Sequence, residues 1–402
     1  MPEFGDRFAS LARTRAPDLW REIEGRQPRE PIEDHSSQRV AVAVVAFVVA
    51  IAGIGFAAVT FGGSERQMSM GTSGTAGEAR ANGSIYFRVG GADGGTRIES
   101  IEAGGTGRHV VFPEDSSVHY DRLSFSPDGT RIAFDNFLKG EYGIETADPD
   151  GTNVARLTDG VNDSWASWSP DGTKILFSST RYDHSIEQCT PGDPYEFGCP
   201  TDIYVMGVDG SNVTRLTDDP LPEFMPVWSP DGSRIAFVRE ADPVPAALTG
   251  IYTMNPDGSD VRRVSSSDGG SDFGPSWSPD GSHVVFAAIR NEDWGIWVVD
   301  ADGSNEHMIL GGTGAGYLDD PVWSPDGDLI AFVGNLSVDD YSPDDALYVM
   351  RPDGTDVTPI ADAPGIGIAG DLAWQPLPAP VVTVEPTPPP TDAEVVESSR
   401  RR

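Results

Sequence analysis

The sequence predicts an all-β fold, a six-bladed β-propeller of four-stranded antiparallel blades closed into a ring by a C-terminal strand, with an N-terminal transmembrane helix ahead of it. Three observations predict the propeller. The first is a returning phrase: SFSPDGTRIAF, SWSPDGTKILF, VWSPDGSRIAF, SWSPDGSHVVF and VWSPDGDLIAF, whose core serines are Ser126, Ser169, Ser229, Ser278 and Ser324, at intervals of 43, 60, 49 and 46 residues. Self-similarity at roughly 40 to 50 residues is the signature of a propeller or solenoid. The second is a family of Asp-Gly turns after each copy: DPDGTN, GVDGSN, NPDGSD, DADGSN and RPDGTD. The third is that the two ends of the repeat region complete each other.

In each repeat, apolar and β-branched residues flank the Asp-Gly of the phrase, which reads as a hairpin with a type I′ turn between strands A and B. A third strand such as IYVMGV or IWVVDA runs into the second turn, and a shorter one such as VTRLT leaves it. These are strands C and D, so each repeat is the four-stranded meander of a propeller blade. Before the first phrase, IYFRV, RIESIEA and RHVVF match B, C and D without an A strand. After the last repeat, DLAWQP at 371–376 matches A alone, with Trp374 in the slot of Trp168, Trp228, Trp277 and Trp323. Together they make a sixth blade, and such closure removes exposed sheet edges. The predicted propeller covers 83–376.

The remaining segments follow in chain order. Residues 1–39 form a polar N-terminal segment in which PDLWREIEGR, at 17–26, has helix-starting residues and places Leu19, Trp20 and Ile23 on one side. Residues 40–61, VAVAVVAFVVAIAGIGFAAVTF, carry no charge and are long enough to span a bilayer as a helix. A cleaved signal peptide is the rival reading, but 39 residues precede the run, against the short n-region of a signal. Arg21, Arg26, Arg29 and Arg39 before the span outnumber Arg66 and Arg80 after it, which favours a cytoplasmic N-terminus. A linker, 62–82, then leads to an extracytoplasmic propeller. Cys189 and Cys199 bracket a turn-rich loop with no histidine between them, which fits a disulfide in an oxidising space; two unpaired thiols are the alternative. The proline-rich tail, 377–402, reads as an extended spacer.

Composition narrows the function classes. The chain has 402 residues, with 63 acidic against 28 basic side chains and a formal charge of -35. Nucleic acid is therefore excluded as a partner, since phosphate binding needs clustered lysine and arginine. The SPDG aspartates, Asp128, Asp171, Asp231, Asp280 and Asp326, are what the turns need. DADGSN resembles the start of a calcium loop but lacks its terminal glutamate. The B-C and D-A loops carry the length variation, and binding usually sits on variable loops of a rigid scaffold; Arg181, Tyr182, His184, Trp294 and Tyr341 are the candidates there. An acid precedes the aromatic of every A strand: Asp121, Asp163, Glu223, Asp272, Asp320 and Asp371. With A strands lining the channel, these six would crowd one mouth and attract a basic side chain or Ca2+; the alternative is solvated loop acids.

The phrase W-S-P-D-G, the I-A-F strand, I-Y-V-M, D-G-S-N and R-L-T together resemble the repeat of the TolB-like β-propellers. That resemblance covers about 83–376 and implies the fold. Its relatives include periplasmic interaction proteins, peptidase propellers and some lyases, so function is open. No catalytic residues are assigned: there is no G-x-S-x-G, H-E-x-x-H or C-x-x-C. The expectation is a membrane-anchored, non-catalytic binding or sensing module of the bacterial cell envelope. The alternatives are a propeller-fold lyase or hydrolase, and a signalling protein whose segment 17–26 contacts a cytoplasmic regulator such as a sigma factor.

Overall fold

The computed structural model describes residues 81–377 apart from 91–94, 116–118, 139–140, 159–161, 182–200, 241–248, 267–269, 292, 313–315, 337–344, 363–367 and 369. The predicted span 40–61, the segment 17–26 and the tail beyond Leu377 lie outside the described residues, as do Cys189, Cys199, Tyr182, His184 and Tyr341. Among the described residues no helix is long and apolar enough to cross a membrane.

Every sheet has four strands. Blade 1 is β4 (His119–Phe125), β5 (Ile132–Leu138), β6 (Glu141–Ala147) and β7 (Ala155–Arg156). Blade 2 is β8 (Asp163–Trp168), β9 (Lys174–Ser179), β10 (Asp202–Gly207) and β11 (Thr214–Arg215). Blade 3 is β12 (Glu223–Trp228), β13 (Ile235–Glu240), β14 (Thr249–Met254) and β15 (Arg262–Arg263). Blade 4 is β16 (Ser271–Trp277), β17 (His283–Arg290), β18 (Asp293–Asp300) and β19 (His307–Gly311). Blade 5 is β20 (Leu318–Trp323), β21 (Ile330–Gly334), β22 (Ala346–Met350) and β23 (Thr358–Asp362). Blade 6 takes β24 (Ala373–Leu377) from the C-terminal end and β1 (Ala81–Gly90), β2 (Thr96–Ile101) and β3 (His109–Asp115) from the other. The closing pair β24 and β1 is antiparallel and runs slightly past the predicted bounds, because a bulge between Asn82 and Ile85 lets Ala81 and Asn82 pair with Leu377 and Pro376.

The core lies between blades. Each B strand contributes one fully buried phenylalanine: Phe87, Phe134, Phe177, Phe237, Phe286 and Phe332. In the I-A-F phrase isoleucine and phenylalanine share one face, and that face packs on the neighbouring blade. The Ile132 and Phe134 face, for example, meets Tyr86, Ile98 and Phe112 of blade 6, while Ala133 on the opposite face joins Phe177 and Tyr204 of blade 2. Burial on both faces explains why the phrase has no polar alternation.

The SPDG turns differ from the type I′ turn predicted. Gly129 N–H donates to the Ser126 carbonyl at 2.8 Å, so the central residues are Pro127 and Asp128, and only the glycine has positive φ, +70°. Proline fixes φ near −65°, which a type I′ turn excludes and a type I turn favours. Asp128 Oδ1 then accepts from Ser126 Oγ at 2.6 Å and from Thr130 N–H and Oγ1, an arrangement repeated at Asp171, Asp231 and Asp280. Those carboxylates are structural.

These turns also join the blades. A Cβ placed on Gly172, Gly232, Gly281 or Gly327 would first meet the SPDG proline of the preceding blade, and one on Gly129 would stand 2.0 Å from the Pro376 carbonyl oxygen of the closing strand. The phrase recurs because each copy docks on the last. The second turns do likewise: Gly151 and Gly354 abut the D strand of the preceding blade, and Gly210, Gly258 and Gly303 abut the residue just after it. Blade 6 contains an unrecognised copy of this turn, EAGGTG, with Gly105 at φ +78° and the same Glu102 and Thr106 hydrogen bonds.

Candidate functional site on the channel wall

The six A strands touch one another in turn, β4 to β8, β12, β16, β20, β24 and back to β4, so they surround the axis. In each blade, the residue three before the A-strand aromatic has positive φ: Arg122, Trp165, Met225, Gly274, Asp320 and, just ahead of β24, Asp371. A bulge accompanies it in blades 1 to 5. Bulges redirect side chains, and here they present one residue per blade at equivalent points around the channel.

The six predicted acids do not occupy one equivalent position, and they fall into two groups. Asp163, Glu223 and Asp272 stand five residues before the tryptophan, fully or almost fully buried, and each pairs with an arginine of its own blade. Arg181 reaches Asp163 at 2.6 Å, Arg239 Nε reaches Glu223 at 2.7 Å, and Arg290 reaches Asp272 at 3.0 Å. The guanidiniums lie over aromatic rings, Arg181 on Phe177 and Tyr204, Arg239 on Phe237 and Tyr252, and Arg290 on Trp297, a geometry in which cation–π attraction adds to the ion pair. Burial raises Glu223 to about 6 despite Arg239 and also raises Asp272.

Asp121, Asp320 and Asp371 form the other group, on the wall made by blades 5, 6 and 1. Arg88 Nε, from β1, bonds Asp371 at 2.5 Å and Asp121 at 3.1 Å. Arg122 lies 2.9 Å from Asp371, 3.6 Å from Asp320 and over the Trp165 ring. Asp371 N–H donates to Asp320 Oδ2 at 2.8 Å. Two further acids join them. Asp319 accepts from Tyr317 Oη at 2.7 Å and from Asp320 N–H at 2.8 Å; buried Asp135 accepts from Trp165 N–H at 2.7 Å. Burial, then the charge of Asp320, pushes Asp319 up to about 7. Burial likewise raises Asp320 and, with Asp121 and Asp371 nearby, raises Asp135 well above the usual carboxylate range.

Among the loop candidates, Arg181 belongs to the blade 2 ion pair. Trp294 is a wedge between blades, edge-on to Phe273 at 5.7 Å and to Tyr317 at 4.8 Å. Among the described residues no three metal-ligating side chains gather as a metal site. Sequence reasoning missed Arg88, Arg122, Asp135, Asp319, Arg239 and Arg290. Asp135 had a signal: it follows the I-A-F phrase, where the other copies carry serine, valine or alanine.

This is an all-β, six-bladed propeller with a charged channel wall. The model of the TolB β-propeller domain matches residues 198–333. The uncharacterized protein Atu1656 of Agrobacterium fabrum is 30% identical over 228 residues, 53% of this chain and 69% of that one. The chain thus carries a TolB β-propeller domain. Among solved structures, TolB from Acinetobacter baumannii superposes with a TM-score of 0.58 at 18% identity, covering 73% of this chain and 66% of that one. A putative TolB from Agrobacterium tumefaciens gives 0.54 at 22%, covering 74% and 98%. At these identities the likeness is one of fold.

Proposed function

We propose that the chain is a membrane-anchored, extracytoplasmic binding or sensing module, and that its propeller takes a protein or cell-envelope ligand on the face bearing the B-C and D-A loops. The observation that carries this reading is the contrast between the two faces. The SPDG face is engaged in ring closure, with near-identical turns docked on one another. The opposite face varies in length from blade to blade and opens onto the charged channel wall. Residues 40–61 would supply the anchor, the Cys189 to Cys199 loop a disulfide on the loop face, and residues 17–26 a cytoplasmic contact.

The test is the thermal unfolding midpoint of the full-length chain, titrated separately with calcium chloride and with a soluble cell-envelope extract. A ligand of the folded state raises the midpoint with concentration. A rise with extract that shortening loop 182–200 abolishes is the expected result. No rise, together with turnover of a polygalacturonate or peptide substrate, would overturn the binding reading in favour of an enzyme.

A further inference from the structure

The wall of blades 5, 6 and 1 holds more acid than base. Asp121, Asp135, Asp319, Asp320 and Asp371 face two guanidiniums, Arg88 and Arg122, and those arginines are themselves only 15% and 14% exposed. Among the described residues, full ionisation would put five carboxylates beside two guanidiniums where water has little access, and desolvation and like charge both favour protonation. Every element packed here contributes. Strand β20 brings Asp319 and Asp320, with Tyr317 just ahead of it and Asp345 near that phenol. Asp371 leads into β24, β4 carries Asp121 and Arg122, β1 carries Arg88, and β5 carries Asp135. The Tyr142 hydroxyl of β6 lies 3.4 Å from Asp121.

The same contacts cross both seams of the closing blade. Arg88 of blade 6 holds Asp121 of blade 1, Arg122 of blade 1 holds Asp371 of blade 6, and Asp371 N–H holds Asp320 of blade 5. Blade 6 is also the one blade assembled from both ends of the repeat region. We infer that this cluster is a pH-sensitive latch on ring closure: loss of protons from Asp319, Asp320 and Asp135 loosens the two seams of blade 6, and their gain tightens them. The latch goes beyond the binding reading and needs no ligand.

The direction follows from linkage. An acid whose folded value lies above its unfolded one contributes stability that is complete below about pH 4, falls as pH rises, and is gone once the folded value is passed. With Asp319 at about 7, opening of the seam is about tenfold more favourable at pH 8 than at pH 6. Hydrogen exchange of the full-length chain at these two pH values, corrected for intrinsic rates, reads this directly. Peptides from β24, β1 and β20 should lose about tenfold protection, while those from β12 and β13, near Glu223, should change about twofold. Asp319→Asn keeps both contacts, its carbonyl accepting Asp320 N–H and its amide donating to Tyr317, and should remove most of the change. Equal seam protection at both pH values overturns the latch, as does a loss spread evenly over six blades or an undiminished response in Asp319→Asn. The wild-type comparison decides by itself if that variant does not fold.

Discussion

The two halves of the channel wall solve one problem differently. In blades 2 to 4 each buried acid meets an arginine 18, 16 or 18 residues away, inside its own sheet and roofed by an aromatic ring. In blades 5, 6 and 1 the acids share two arginines, and the Arg88 to Asp371 bond spans 283 residues. A local pair stabilises one blade. A shared, non-local set ties three blades together and couples their charges, so its disruption is felt where the ring closes.

The strongest way to break the contrast is Arg122→Gln. It strips a guanidinium from Asp371 and Asp320 and uncovers Trp165, and removing one partner of a buried pair costs about 3–5 kcal/mol; urea denaturation should show that loss. Next comes Gly129→Ala, whose Cβ would collide with the Pro376 carbonyl, at about 3 kcal/mol. Gly172→Ala has the same φ of +70° but no contact closer than 3.7 Å, so it should cost about 1 kcal/mol. Equal losses from the two would show that closure is no more demanding than any other seam. Asp163→Asn, which leaves the partly solvated Arg181 without its acid, should cost about 2 kcal/mol, less than Arg122→Gln. A titration sharpens the same comparison. Because burial raises Glu223 to about 6, its stabilising contribution is present below about pH 4.5 and disappears as pH passes 6. Glu223 should account for about 1.6 kcal/mol of the stability lost between pH 4.5 and 7.5, and Glu223→Gln should lessen the slope of a denaturant series across pH by that amount, the rest staying with Asp319 and its neighbours.

Much of the fold was readable because a blade is a local object. Apolar and β-branched runs, and proline and glycine at fixed offsets in the turns between them, are all decided within about a dozen residues. Even the sixth blade was recoverable, since DLAWQP matches an A strand in want of B, C and D. The turn type was misread because Asp-Gly drew attention from the proline before it. EAGGTG escaped because Gly104 replaces the aspartate that marks the other copies and Gly107 replaces their closing Asn or Asp.

The site was readable only in part. That each A strand carries an acid could be seen, but a shift of one or two residues along a bulged strand decides whether the acid faces an arginine of its own blade or the shared channel. Asp163 and Asp371 look alike in sequence and stand two positions apart relative to the tryptophan. By itself the sequence determined the blade, the number of blades and how the ring closes, because repeat spacing, strand period and turn chemistry are short-range. Tertiary structure alone decided which charges share a wall, since Arg88, Asp121, Asp320 and Asp371 meet only after closure brings the two ends of the repeat region together.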